Sequence, residues 1–112
     1  MDFGAWEGQC WGEVGDHSMA AWMADFQNHR PGGGESVQSL LDRVADALTT
    51  ANSMQEDCAW ITHAGVIRAA RLLVRGQGEV RTAGDWPQEP VPFGSWEVFD
   101  LGGEWQRATT RP

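Results

Sequence analysis

Lysine and tyrosine are both absent from this 112-residue chain, whose 8 basic residues are all arginine. A P-loop lysine, a Schiff-base lysine and a Ser–Lys dyad are therefore excluded. Cysteine is scarce: Cys10 and Cys58 lie far apart and form no CxxC pair, which argues against a zinc ribbon or a redox dithiol. They read as reduced thiols in a cytoplasmic protein. Long apolar runs are missing as well. The opening MDFGAWEG has neither a positive nor an apolar signal region, and no window reaches the roughly 20 apolar residues of a membrane span. Positive charge is the last shortage, since 16 acidic residues leave a net charge of −8. That balance excludes a basic nucleic-acid face and an anchor on anionic membrane.

What is present fits one folded unit. The length matches a single compact domain of about 100–150 residues, and 41% hydrophobic content supplies one core. The 14 Gly and 5 Pro stay below the roughly 25–30% combined share at which disorder becomes the default. They do imply long loops.

From Met1 to Gly15, glycine alternates with tryptophan and acidic residues, which reads as an ordered loop pinned by Phe3, Trp6 and Trp11. Asp16 or Ser18 can cap a helix with Met19, Trp22, Met23 and Phe26 at i, i+3, i+4 and i+7. The run PGGGES, Pro31 to Ser36, is expected to stop that helix. A second helix is expected from about Ser36 to Ala51, with Val37, Leu40, Leu41, Val44 and Leu48 on one face and Asp42, Arg43 and Asp46 off it. CAWIT, Cys58 to Thr62, reads as a strand buried on both faces of a parallel sheet. A third helix is expected from about Ala64 to Arg75, with Val66, Ile67, Ala70, Leu73 and Val74 inward and Arg68, Arg71 and Arg75 as a solvated stripe. Strand, tight turn and helix in that order indicate an α/β fold. WEVFDL, Trp96 to Leu101, then Gly102–Gly103 and EWQRATT read as a hairpin, after an irregular Trp86 to Pro92.

THAG, Thr62 to Gly65, is the segment best suited to chemistry. A histidine at the carboxyl end of a strand and the start of a helix faces free backbone N–H groups that favour an anion. His63 there can bind a phosphoryl oxygen and stabilise developing charge; alternatively it caps the junction. GESVQ lacks the second glycine of a GxSxG nucleophile elbow. PGGGES is a turn with Glu35 or Ser36 at the helix start, flexible enough to line a pocket. His17, His29 and His63 with Cys10 and Cys58 show no ligand spacing, so neither a metal nor any other cofactor is expected. Trp6, Trp11 and Trp86 are the tryptophans suited to edging a cleft.

Three segments in order, MDFGAWEG, PGGGES and THAGVIRA, with PFGSWEVFDL near the end, resemble the histidine phosphatase superfamily and its phosphoglycerate mutase-like fold. WEG and GGES are most similar to alpha-ribazole phosphatases of cobalamin synthesis. The resemblance implies an α/β fold, a three-layer α/β/α arrangement lacking its first strand and the segment after it. Residues 1–112 would then be the carboxyl-terminal part of a single domain. It also implies a small phosphorylated substrate, a phosphohistidine intermediate on an amino-terminal histidine, two arginines and a second histidine on the phosphoryl oxygens, and a glutamate that protonates the leaving alcohol. His63 matches the second histidine, Ala64 and Gly65 the backbone beside the phosphate, and Glu35 and Ser36 the GES loop. Trp6 is placed at the substrate.

The family's RHG segment does not occur here. His29–Arg30 is HR only, and Arg81-Thr82-Ala83 follows His63 and cannot replace the second arginine. The family's acid glutamate directly precedes a methionine that corresponds to Met1. The resemblance thus implies a chain that begins just past its general acid and is inactive alone, with an apolar sheet edge open to self-association. The alternatives within the family are a mutase or a sugar phosphatase. A different class is a non-catalytic phospho-ligand-binding remnant or a fragment that completes a pocket with another chain.

Overall fold

The computed structural model describes residues 1–101. Four α-helices are present among them: α1 (Trp11–Val14), α2 (Asp16–Ala24), α3 (Val37–Ser53) and α4 (Ala64–Val74), with short 3-10 turns at Gly4–Trp6, Pro31–Gly33 and Ala83–Asp85. No helix among the described residues is long and apolar enough to cross a membrane.

Helix α3 follows its sequence closely. Ser36 caps it, its hydroxyl accepting the Ser39 N–H at 3.0 Å, which satisfies one otherwise orphaned donor of the first turn. Val37, Leu40, Leu41, Val44 and Leu48 are all buried. They pack on α4, whose buried residues are Ala69, Ala70, Leu72 and Leu73. Trp22, Phe26 and Val80 close the remaining sides of this core.

The expected α/β/α architecture is not what forms: the described residues contain helices and no strand. The reason lies in how the apolar stripes are covered. Those of α3 and α4 are buried against each other, leaving no helical face to roof a sheet. A strand also needs a hydrogen-bonded neighbour, and residues 59–62 make no backbone hydrogen bond with any described residue. CAWIT is apolar but uncovered, with Ile61 104% exposed. WEVFDL is likewise irregular, with Trp96 84% and Val98 87% exposed. The hairpin glycines and EWQRATT lie outside the described residues.

Three smaller expectations also change. Helix α2 ends at Ala24, before the PGGGES run, in a turn where the Asp25 N–H reaches the Trp22 carbonyl at 3.1 Å. Of its expected stripe, Trp22 and Phe26 are buried, Met19 is half-buried, and Met23 is exposed. The α4 face is centred on Ala69 and Leu72 rather than on Val66 and Val74. Finally, Arg71 is no part of a solvated stripe. Its side chain is 11% exposed and pairs with Glu97, and it also donates to the carbonyls of Glu89 at 2.9 Å and Pro90 at 3.3 Å. These contacts fasten the proline-rich segment to α4.

The PGGGES glycines are explained by contact as well as by turning. Gly32 has φ +64, and a Cβ there would lie 2.0 Å from the Phe3 carbonyl oxygen. A Cβ on Gly4, at φ +53, would lie 2.3 Å from the Gly32 oxygen. The two turns interlock backbone to backbone, which only glycine permits.

Candidate functional site

His63 is the residue immediately before α4, with its backbone in the extended region (φ −120, ψ 164) and its side chain making no cap hydrogen bond. Its carbonyl accepts the N–H groups of Val66 at 3.1 Å and Ile67 at 3.3 Å, so the helix is anchored through the backbone. The imidazole is left exposed. The N–H groups of Ala64 and Gly65 have no partner among the described residues. An exposed imidazole beside two unpaired amides at the positive end of an 11-residue helix is an arrangement that favours an anion. Gly65 also sits close to α3, where a Cβ would meet Leu40 Cδ2 at 3.6 Å, an ordinary contact.

The other expected residues form a second group. Glu35 receives the Asp2 N–H at 3.2 Å on Oε1 and pairs with Arg43 through Nε to Oε2 at 3.0 Å and Nη2 to Oε1 at 3.3 Å. Its own N–H donates to the Asp2 carbonyl at 2.7 Å. Burial pushes the Glu35 carboxyl up, but the Arg43 hydrogen bond, the Asp2 N–H and the Arg43 charge outweigh it and hold the group below the ordinary value. Glu35 is thus a staple between the amino-terminal turn and α3. The buried Ser36 hydroxyl is committed to its cap and to Ser39 Oγ at 2.8 Å. Trp6 is half-buried, edge-on to Trp22 with ring centroids 6.0 Å apart. Trp11 is exposed and edge-on to Phe3, whereas Trp86 packs on the core.

Besides holding Glu35, Arg43 lines an open groove of about 380 Å³ with Val44, Ala47, Trp60, Ile61, Thr62 and Val66. The sequence places Arg43 only off the apolar face of its helix. Its tie to Glu35 crosses from a loop into the second turn of α3, so no periodic spacing announces it. A second groove, of about 360 Å³, lies by Arg71 and Arg75, but both guanidiniums are paired with carboxylates there. No group of three or more His, Cys, Asp or Glu placed to hold a metal ion occurs among the described residues.

The site can take a small oxyanion on the amides of α4 with the imidazole alongside. Comparison with known proteins gives one family: the model of the histidine phosphatase superfamily (branch 1) matches residues 1–102. No curated protein and no solved structure matches the chain.

Proposed function

Because the chain belongs to the histidine phosphatase superfamily, branch 1, a family of phosphatases and mutases, we propose that its site handles a small phosphomonoester with His63 at the centre. The observation that carries this reading is the exposed His63 beside the unpaired N–H groups of Ala64 and Gly65. Those two amides bind phosphoryl oxygens, and a ring N–H of His63 donates to a third position. As charge builds on the oxygens during transfer, the fixed donors stabilise it without reorganising.

The covalent step needs a nucleophilic histidine, and no RHG segment occurs in the 112 residues. This chain by itself therefore binds phosphate-bearing ligands without carrying out the covalent step. Alpha-ribazole 5'-phosphate is the substrate we favour, on the strength of the WEG and GGES segments and of Trp6 at the amino-terminal turn.

An assay with an aryl phosphomonoester tests the reading. The 112-residue chain should form no phosphohistidine and show little turnover. Adding an RHG-bearing amino-terminal segment should raise turnover by at least about 100-fold, the lower range for a missing catalytic group. Full turnover by the chain alone, abolished in His63→Ala, would contradict the division of roles.

A further inference from the structure

Of the six described arginines, five have an acceptor: Arg30 donates to the Gly34 carbonyl, and Arg43, Arg71, Arg75 and Arg81 each meet a carboxylate. Arg68 has none among the described residues. It is half-buried, and its Nε is closed off from solvent without a hydrogen-bond partner. A buried donor left unpaired is costly, and native structures rarely keep one without a role for it. Anions are not what the chain lacks, since it carries 16 acidic residues.

The position of Arg68 says where its acceptor lies. It follows Ala64 by four residues, so the two share a face of α4. Cα–Cβ bonds in a helix tilt toward its amino end, and a long side chain covers the turn before its own Cα. Here that is the first turn of α4, a rise of about 5.4 Å. Ala64 and Gly65 have almost no side chain to fill the space there. One turn further along the same face Leu72 is buried, which puts Arg68 at the border between core and solvent. The guanidinium is thus carried toward the unpaired amides of Ala64 and Gly65.

We propose that Arg68 is a further binding residue of the α4 site, its Nε–H and positive charge taking one oxygen of a dianionic phosphoryl group whose other oxygens lie on the two amides. The proposal rests on the reading of this helix end as the phosphoester site. It adds what two neutral amides do not supply in a chain of net charge −8, a fixed positive charge. A guanidinium recognises phosphate through directed, charge-assisted N–H bonds. An anion held there also satisfies the donor that the fold leaves unpaired.

Titration of inorganic phosphate into the ¹⁵N-labelled chain, read at the arginine Nε–H resonances and at the amides of Ala64 and Gly65, tests the proposal. The Arg68 resonance should move saturably, with the same dissociation constant as the two amides. That of Arg43, whose Nε is held by Glu35, should stay in place. Arg68→Gln should raise the dissociation constant at least about tenfold. Arg68→Lys, which keeps the charge and loses the Nε donor, should recover only part of that loss. Amides that respond while the Arg68 resonance stays still, or Arg68→Gln that binds phosphate as tightly as the unsubstituted chain, overturn the role of Arg68 and leave the helix-end site standing. Amides that also stay still overturn both together.

Discussion

Gly32 and Gly33 are adjacent, both have positive φ, and they differ in what surrounds them. A Cβ on Gly32 would lie 2.0 Å from the Phe3 oxygen, whereas one on Gly33, at φ +77, would meet nothing within 4 Å. Gly33→Ala should cost only the left-handed backbone penalty, about 1 kcal/mol. Gly32→Ala must also push the interlocked turns apart and should cost about 3 kcal/mol or more. Urea melts of the two variants check this; equal losses would mean that the turns do not interlock. The same scale shows where sequence reading stops. PGGGES marks a turn by composition, but only the folded chain shows which glycine touches another backbone. Gln38 is a second case. It is buried, and its amide accepts from Gln27 and from the Val80 N–H while donating to Asp42 and to the Gly78 carbonyl. All four of its hydrogen-bonding capacities are used, yet a glutamine in a helical pattern reads as surface.

At the scale of elements, three of the four helices were legible, α1 having been read as part of a loop, and their partners were not. The heptad-like spacing of Val37, Leu40, Leu41, Val44 and Leu48 predicts α3 and its buried face. The run before α4 is read as a strand because continuous apolar character normally means burial on two faces. The structure instead buries α4 on α3 and leaves that run uncovered, since an apolar run cannot specify what covers it. The arginines of α4 show the opposite error, for Arg71 is drawn out of solvent by Glu97 and two carbonyls. The Arg71 hydrogen bond holds the Glu97 carboxyl below its ordinary value of 4.5. A lowered folded value gives stability that is complete above the ordinary value and lost as pH falls through the folded one. Thermal melts should therefore fall between about pH 5 and about pH 3, and less steeply in Glu97→Gln. With the pair partly open to solvent, the difference should be about 0.5–1 kcal/mol. Identical pH profiles would show that the pair does not hold the 89–97 segment.

Across the whole molecule, a superfamily assignment over residues 1–102 coexists with a helical arrangement that leaves apolar stretches in solvent. The amino end of α4 is built from local features: a histidine before the first turn, two small residues whose amides stay free, and α3 packed behind them. That locality explains why the start of α4 was readable at THAG, whereas the strand expected before it did not form. It also makes His63 the point on which the functional account rests. The most direct test is titration of inorganic phosphate into the ¹⁵N-labelled chain, followed by the amide resonances of Ala64 and Gly65. Those two should move together and saturably. In His63→Ala, the dissociation constant should rise about tenfold, the value of one charge-assisted hydrogen bond of about 1.4 kcal/mol. Amides at 64 and 65 that stay still, or binding indifferent to His63→Ala, would contradict the assignment of this helix end as the phosphoester site.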